Sequence, residues 1–559
     1  MIKLFYNMNN IIILFSLFII FSCAKKDDIK KNRPNILFIM SDDHAYQAIS
    51  AYSERLLHTP NIDKIAEQGA IFDNACVTNS ICAPSRATIL TGKHNHINGK
   101  IDNRSPFDTS QVTFPQLFQQ AGYQTAMFGK LHFGNNPKGV DDFMILPGQG
   151  HYVNPDFITK NGDTTIIGYV TDIITDLTLD WLKNKRDPHK PFLMMYLHKA
   201  PHRPWWPSPE KFQEYTKKEF PLPKTLFDDY KNRGIAAKSA EMNLLKDLRY
   251  GHDSKIRPAV LKSMSEVEPF VEPYNWGGSD GFTTSYIRFN EDQKALYDPV
   301  IDSINVWFKD NWSSLTDKEK MEWKYQRYMQ DYLGCIASVD ENMGRVLNYL
   351  EENGLDENTI VIYTSDQGFY LGEHGWFDKR WMYEESFKMP FVIKNPRTIK
   401  AGTTSDAMVM NVDFAPTLLD MAGLEIPSEM QGKSFKGAFE GGLKNQRKSV
   451  YYHYYEWPIW HKVQPHYGVR TDRYKLMHFY YSMDEWELYD LKTDPNEMHN
   501  IYSEASPELI EMLKKELQEL RKEYKDDGSV EQMKRMTDTV IRRVYNEPKV
   551  YKESTNTKK

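Results

Sequence analysis

The chain has 559 residues and is slightly acidic, with 70 Lys and Arg against 76 Asp and Glu and a formal net charge of −6. A chain of this length can bury an extensive core, which predicts one large domain with a smaller one, or a single elaborated domain. The acidic balance excludes a broad nucleic-acid-binding surface, so nucleic acid is not expected as a partner. An anionic substrate would have to be attracted by a local basic pocket or by a metal.

Residues 1–23 are predicted to be an export signal. They carry a single charge, Lys3, and the apolar run from Ile11 to Phe21 is too short to span a bilayer as a helix of about 20 residues. The run ends in Ile20-Phe21-Ser22-Cys23, which resembles the bacterial lipobox, whose cysteine is lipidated; an ordinary signal peptide cut nearby is the alternative. Residues 24–33 then form a charged tether. We expect an exported lipoprotein, anchored to the membrane in the periplasm or at the cell surface, or a soluble periplasmic protein if Cys23 is not lipidated.

Apolar runs that do not alternate predict buried strands over residues 35–40, 191–198 and 359–364, and a further strand ending in a polar loop lies within 122–132. Ligands bind at the carboxyl ends of strands in open α/β sheets, so the polar residues that follow these strands are candidates for a site. They are Asp42, Asp43, Lys130, His132, His202, Asp366 and Gln367. The pattern predicts an α/β fold with a doubly wound, mixed but mostly parallel sheet flanked by helices.

We assign residues 34–440 to this larger domain. Within it, residues 205–322 form a long polar and aromatic insertion with little periodicity, which is typical of a lid, a binding wall or a disordered segment. Helical spacing returns over residues 322–352 and predicts a core helix.

The character of the chain changes after Gly423, and residues 441–530 are predicted to form a smaller C-terminal α+β domain with short strands and a helix. That helix is expected from Pro507 to Tyr524, capped by Ser506. Residues 531–559 are predicted to be a tail.

Cys82 lies in the small-residue segment from Ser80 to Gly92, at the start of a predicted helix with Pro84 in its first turn. Free backbone N–H groups at such a helix start attract anions. Once Cys23 is set aside, an odd number of cysteines remains for a chain predicted to be exported, and an unpaired cysteine there needs a reason. The segment is therefore a candidate for a nucleophile that meets an anionic substrate.

The same segment matches the Cys-x-Pro-Ser-Arg signature and its Leu90-Thr91-Gly92 extension, so the chain resembles the type I sulfatases of the alkaline phosphatase superfamily, particularly bacterial polysaccharide sulfatases. The second family signature is approximated by Gly122 to His132, although Phe128 stands where a smaller residue is usual. The resemblance runs from about Arg33 to Asp490.

The resemblance implies a divalent-cation site formed by Asp42, Asp43, Asp366 and Gln367, with modified Cys82 as a further ligand. Asn or His is commoner than Gln at the last position, but Gln367 still offers a carbonyl oxygen. An all-oxygen ligand set suits Ca²⁺, with Mg²⁺ as second choice.

The resemblance also implies that a maturase converts Cys82 to formylglycine, whose hydrated form attacks sulfur. In that mechanism Arg86 holds the modified side chain, Lys130 offsets the sulfate charge, and His132 takes the proton that allows sulfate to be expelled. His202 and Lys379 would bind sulfate and protonate the leaving oxygen. Further substrate contacts are expected from Glu373, His374, His453, His466 and Arg470.

The expected function is hydrolysis of sulfate esters on carbohydrate, with fragments of an algal polysaccharide such as ulvan favoured over carrageenan or glycosaminoglycans. One alternative is a phosphodiester or phosphonate monoester hydrolase of the same superfamily. Another is a catalytically silent surface lipoprotein that binds sulfated glycans, although binding alone does not require a modifiable cysteine.

Overall fold

The computed structural model of the protein describes residues 33–264, 267, 281–439, 447–459 and 461–546. The predicted signal, the lipidation site Cys23 and the tether up to residue 32 lie outside these described residues. Among the helices of the described part, none has the length and apolar character needed to cross a membrane.

The strands are β1 Asn35–Ser41, β2 Ala70–Phe72, β3 Ala75–Cys76, β4 Gln124–Lys130, β5 Asp142–Leu146, β6 Asp156–Thr159, β7 Gly162–Thr165, β8 Phe192–Leu197, β9 Thr359–Ser365, β10 Tyr370–Leu371, β11 Phe377–Asp378, β12 Phe391–Lys394, β13 Thr403–Ser405, β14 Val409–Met410, β15 Ser449–Tyr454, β16 His466–Thr471, β17 Tyr474–Phe479 and β18 Glu485–Asp490. The α-helices are α1 Pro60–Glu67, α2 Cys82–Thr91, α3 Asn95–Asn98, α4 Phe114–Gln120, α5 Val170–Asp180, α6 Pro209–Tyr215, α7 Ile235–Ser239, α8 Leu244–Asp247, α9 Tyr250–Ser254, α10 Pro258–Ser263, α11 Gly281–Tyr286, α12 Glu291–Asn311, α13 Asp317–Glu352, α14 Glu384–Phe387, α15 Phe414–Met421, α16 Pro507–Glu523 and α17 Val530–Asn546.

A ten-stranded sheet forms the centre of the larger domain, in the order β13-β2-β12-β9-β1-β8-β4-β5-β6-β7. Its middle strands β9, β1, β8, β4 and β5 are parallel, whereas β12, β6 and β7 pair antiparallel with their neighbours. Successive residues of β1 point into two different hydrophobic clusters. Leu37 and Ile39 belong to the cluster on one face of the sheet, and Ile36 and Phe38 belong to the cluster on the other face. Both faces of β1 are therefore buried, which explains its continuous apolar run. The predicted fold class, a mostly parallel sheet flanked by helices, is confirmed.

The insertion at 205–322 contains more regular structure than its sequence suggested. It holds the helices α6 to α12, and α13 begins at Asp317, before the predicted start at residue 322. Trp206 and Tyr297 are buried in the same core as α13, with the Trp206 and Phe289 rings 5.0 Å apart. Aromatic contacts between short helices, which leave no regular period in the sequence, hold this segment to the larger domain.

A four-stranded antiparallel sheet, β15-β16-β17-β18, forms the smaller C-terminal domain, and α16 packs on it through Leu513 and Leu517. Ser506 caps α16, accepting a hydrogen bond from the backbone N–H of Leu509, as predicted. The predicted tail at 531–559 is wrong for its first part, because residues 530–546 form α17. Met533, Thr537 and Val540 are buried at helical spacing, so this helix has a packed face.

Candidate active site

Two strands that are distant in sequence bring the acidic residues together. β1 and β9 are parallel and pair Ser41 with Ser365, so the residues that follow both strands meet at one edge of the sheet. Carboxylate oxygens of Asp42, Asp43 and Asp366 lie within 4.8 Å of one another, and all three residues are buried. The backbone N–H of Asp43 donates to Asp366 Oδ1 at 3.0 Å. The geometry thus joins the two acidic clusters that the sequence predicted separately.

Cationic side chains surround these carboxylates. Arg86 donates through Nε to Asp366 Oδ2 at 3.0 Å and places Nη2 3.4 Å from Asp42 Oδ1. Lys130 Nζ donates to Asp42 Oδ2, and Lys379 Nζ donates to Asp43 Oδ1. His202 Nε2 lies 3.7 Å from Asp43 Oδ2. Three cations, Arg86, Lys130 and Lys379, therefore lie against the three carboxylates at this sheet edge, a local basic group that the net charge does not reveal.

The ionisation of the acids reflects crowding of like charges in a dry site. Burial, with the charge of Asp42 acting in the same direction, raises the pKa of Asp43 to about 6 and that of Asp366 to about 7. Burial alone would also raise the pKa of Asp42, but Lys130, His202 and Arg86 bring it well below its usual range. A further cation at this position would relieve the remaining repulsion.

The residues present fit a divalent metal. Among the described residues, Gln367 Oε1 is buried and receives no hydrogen bond, while its Nε2 donates to Asp43 Oδ1 at 2.5 Å. Asp42 Oδ1 likewise accepts no hydrogen bond within the described part of the chain, although Arg86 Nη2 lies 3.4 Å away as an ion-pair partner. Free buried oxygens beside crowded carboxylates make an all-oxygen set, which is the kind that Ca²⁺ and Mg²⁺ take. Gln367 can thus serve in the place where Asn or His is commoner.

Cys82 is the first residue of α2, which ends where Gly92 adopts a left-handed conformation with φ of 63°. The thiol is fully buried, and Sγ lies 3.3 Å from His132 Nδ1 and 3.5 Å from Asn103 Oδ1. Burial raises the pKa of the Cys82 thiol, which keeps it protonated and poorly nucleophilic. Burial and the charge of Lys130 hold the pKa of His132 well below its usual range, so this imidazole is neutral and able to accept a proton.

Four non-glycine residues around this site have a left-handed backbone conformation. Asp43, His132, Asp378 and Arg380 all have positive φ, at 67°, 70°, 76° and 94°. Non-glycine residues rarely adopt this region, and they do so where surrounding structure forces it, often at functional sites. The strained backbone directs Asp43 and His132 to the cluster and brackets Lys379 on both sides.

The sequence analysis missed several polar residues at the site. Asn103 contacts Cys82, and Gln149 Oε1 accepts a hydrogen bond from Lys130 Nζ. Arg380 pairs with Asp378, and His461 Nε2 lies 3.2 Å from the other oxygen of Asp378. Arg380 could have been singled out as a charged neighbour of Lys379, but Asn103 and Gln149 lie in loops without any recognisable motif.

The five residues predicted to contact substrate, Glu373, His374, His453, His466 and Arg470, each have partners within the protein. His374 binds Arg233 and Asp228, and Glu373 pairs with Arg55 at 3.3 Å. In the C-terminal domain, His453 hydrogen-bonds Asp526 and Tyr480. His466 contacts the Gln464 carbonyl and the backbone N–H of Met382. Arg470 donates to Asn74 and Glu384. These contacts give each of the five side chains at least one partner inside the fold, and the substrate role expected of them stays a prediction.

A buried acidic cluster lies at the carboxyl edge of a mostly parallel sheet, beside a buried cysteine, a neutral histidine and several cations. This arrangement is typical of an α/β hydrolase that acts on anionic esters. A family model described as "Sulfatase" matches residues 34–424, and one described as "N-sulphoglucosamine sulphohydrolase, C-terminal" matches residues 372–523. The chain belongs to the sulfatase family and is a sulfuric ester hydrolase. Members of the family use formylglycine and a divalent metal.

The proteins similar to this chain include a named relative and a solved structure. An N-acetylglucosamine-6-O-sulfatase of Bacteroides thetaiotaomicron is 47% identical over 517 residues, which cover 90% of this chain and 89% of the relative. A solved structure described as a complex with its substrate, D-glucosamine-2-N,6-O-disulfate, has 47% identity and a TM-score of 0.84, and the match covers 89% of this chain and 100% of that one.

A phosphonate monoester hydrolase from Silicibacter pomeroyi matches with 18% identity and a TM-score of 0.61, over 89% of this chain and 96% of that one. At this identity the likeness shows a shared fold alone. It therefore gives no support to the alternative phosphonate or phosphodiester activity.

Proposed function

We propose that this chain removes the 6-O-sulfate from glucosamine-type sugars of glycosaminoglycan fragments, through a formylglycine made from Cys82. The observation that carries the proposal is the position of Cys82 Sγ, 3.3 Å from a neutral His132 and beside the cation-lined acidic cluster. The names of the similar proteins, which concern 6-O-sulfated glucosamine, support the choice of sugar. Neither relative offers support for ulvan, so the algal preference is replaced.

The buried, protonated thiol of Cys82 favours a precursor over a nucleophile. A formylglycine at this position would supply, once hydrated, a hydroxyl group for attack on sulfur. His132 would accept a proton there, since its imidazole is neutral and Nδ1 already faces the side chain of residue 82. Asp42 and Asp366 fix the guanidinium of Arg86, which would hold the modified side chain at position 82.

Asp42, Asp43, Asp366 and Gln367 would hold a divalent cation, for which we favour Ca²⁺ over Mg²⁺. When bound, the cation supplies positive charge to the sulfate oxygens. Lys130 and Lys379 lie on opposite carboxylates of the cluster and would bind the remaining sulfate charge. Burial and the charge of Lys130 hold the pKa of His202 well below its usual range, so this imidazole would need the negative charge of bound sulfate to take up the proton that it passes to the leaving sugar oxygen.

We further propose that the protein is exported and anchored through lipidated Cys23, in the periplasm or at the cell surface, and that a formylglycine-generating maturase acts on it. The support is the sequence of residues 1–23, with its single charge and its lipobox-like end. Labelling with a clickable fatty acid in a bacterial host, with Cys23→Ser as control, tests the anchor. Label retained in Cys23→Ser would contradict it.

Turnover of a defined substrate panel tests the activity. The panel contains N-acetylglucosamine 6-O-sulfate, glucosamine 2-N,6-O-disulfate, ulvan and carrageenan oligosaccharides, and an aryl phosphate diester, with protein made alongside its maturase. We expect release of the 6-O-sulfate from the glucosamines and a loss of at least about 1,000-fold in Cys82→Ala, because the nucleophile is removed.

Faster turnover of the algal oligosaccharides would overturn the sugar assignment while leaving the sulfatase chemistry intact. A preference for the phosphate diester would overturn the proposed chemistry. Equal activity in Cys82→Ala would contradict the role of this residue, and mass spectrometry of the peptide that contains it checks the conversion directly.

A further inference from the structure

The C-terminal helix α17 packs on the loop of residues 100–105, which is more than 400 residues distant in sequence. Val540 of the helix is buried in a small hydrophobic cluster with Ile101 of the loop and Tyr455, and Val544 packs against the same cluster. The contact joins the end of the chain to the segment that follows the nucleophile helix α2. Nothing in the roles assigned so far uses this helix.

Arg543 adds a polar contact between the helix and the loop. Its Nη1 donates to Ser105 Oγ at 2.6 Å and lies 3.4 Å from Asp102 Oδ2. Asp102 is fully buried, and its Oδ1 accepts hydrogen bonds from the backbone N–H groups of Arg104 and Ser105. Arg543 therefore compensates a buried carboxylate that shapes the turn of the loop.

The loop in turn contacts the residue at position 82. Asn103 Oδ1 accepts hydrogen bonds from the backbone N–H of Ala83 at 3.2 Å and from Cys82 Sγ at 3.5 Å. Buried Lys100 closes the loop from inside, because its Nζ donates to the carbonyl oxygens of Asn103 and Ser105. Continuous contacts thus run from Arg543 through Asp102 and Ser105 to Asn103 and the start of α2.

We propose that Arg543 is a positioning residue for the sulfatase reaction, which holds the Asn103 loop and through it the side chain at position 82. This inference rests on the proposed role of Cys82 and is independent of the sugar. Loss of Arg543 would remove one of the cations that compensate buried Asp102, another being Lys100, and an undercompensated buried charge is costly enough to rearrange the turn. A displacement of about 1 Å at the reacting group lowers kcat, while substrate binding by the remaining residues persists.

Arg543→Ala is the principal test variant, with the exposed neighbour Arg542→Ala as matched control on the same helix. In Arg543→Ala we expect kcat to fall by about tenfold or more, while KM stays within about twofold of the wild-type value. In Arg542→Ala both kcat and KM should equal the wild-type values. Rates are corrected for the fraction of residue 82 converted, measured by mass spectrometry. Arg543→Lys should recover part of kcat because it returns a cation to Asp102.

Ser105→Ala removes the hydroxyl that Arg543 binds without altering α17. If Arg543→Ala does not fold, a lower kcat with unchanged KM in Ser105→Ala tests the same contact. Hydrogen exchange gives a readout other than activity. We expect faster exchange at residues 83 and 100–105 in Arg543→Ala, with unchanged exchange in the strands of the central sheet.

A loss of kcat that Arg542→Ala shares, or a loss that follows the folded fraction without faster exchange in the loop, would overturn the proposal. An equal loss in Arg543→Lys and Arg543→Ala would count against the charge contact. Turnover is measured on whichever sulfate ester the wild type accepts, so an error in the sugar leaves the test intact. Unchanged turnover in Cys82→Ala would instead overturn the proposed function, and the exchange data would still decide whether Arg543 orders the loop.

Discussion

Individual buried charges at this site owe their ionisation to their neighbours. Asp42 is kept ionised by Lys130, His202 and Arg86, whereas burial raises the pKa of Asp366 to about 7. Lys199 differs from the other lysines near the cluster. Its Nζ has no hydrogen-bond acceptor among the described residues and lies 4.7 Å above the Tyr152 ring. Such a group resists carrying a full charge in the folded protein.

Lys199→Met should change how stability depends on pH. Burial, assisted by Lys130, lowers the pKa of Lys199 to about 7. In the unfolded state Lys199 keeps its proton up to about pH 10.4. Between pH 7 and 10 the unfolded state therefore binds more protons at this residue than the folded state does, and the contribution of Lys199 to the free energy of unfolding rises with pH. The variant should lack a rise of at most about 1.4 kcal/mol per pH unit in the free energy of unfolding.

Urea unfolding at pH 7, 8 and 9 measures this slope. Exposed Lys190→Met is the control, since its side chain is 59% exposed. A stability difference between Lys199→Met and wild type that stays constant over these pH values would contradict the buried-lysine explanation.

At the scale of elements, local signals fixed where several helices and strands begin. The strands at 35–41 and 359–365 and the helix at 507–523 fall within one residue of their predicted ends. Each carries a strong local pattern, either a continuous apolar run or a cap followed by a helical period. The helix at 530–546 was missed although Ser529 and Gln532 form a capping box at its start, because many charged residues separate its buried positions.

Ser506→Ala should destabilise α16 by about 1 kcal/mol, because the hydroxyl satisfies the backbone N–H of Leu509 at the helix start. The sulfatase site lies on other elements, so kcat and KM should be unchanged. Thermal unfolding followed by circular dichroism measures the effect, with exposed Ser503→Ala as control. Equal unfolding temperatures for the two variants would show that the cap contributes nothing.

Across the whole molecule, the acidic cluster joins segments that are far apart in the chain. Asp42 and Asp43 follow β1, whereas Asp366 and Gln367 follow β9, and Arg86 of α2 bridges both groups. A cation bound there would stabilise the folded state only, because the unfolded chain cannot assemble the ligands.

Removal of divalent cations with EDTA should therefore lower the unfolding temperature of the holoenzyme by about 2–5 °C. Addition of excess Ca²⁺ should restore it, with Mg²⁺ less effective if the preference for calcium is right. Asp366→Asn is the matched control, in which added Ca²⁺ should have a much smaller effect. If neither EDTA nor added Ca²⁺ changes the unfolding temperature of the wild type, the protein has no resident metal at this site.

The sequence by itself determined the fold class, the family and the residues that gather at the sheet edge. Continuous apolar runs followed by acids and bases can be recognised locally, because burial on both faces of a parallel strand excludes alternation. The Cys82 segment is specific enough to indicate the family without any tertiary information. These features depend on residues that are close together in the chain, so they can be recognised from one sequence without knowledge of the fold.

Only the tertiary structure decided which distant residues share the site. Asn103 and Gln149 reach Cys82 and Lys130 from loops without a pattern, and α17 covers the loop that carries Asn103. His453, His466 and Arg470 are predicted substrate ligands, and only the fold shows that Asp526, Met382 and Glu384 are their partners within the protein. A polar side chain becomes a ligand or a structural contact according to what packs against it, and that depends on long-range packing which no local pattern encodes.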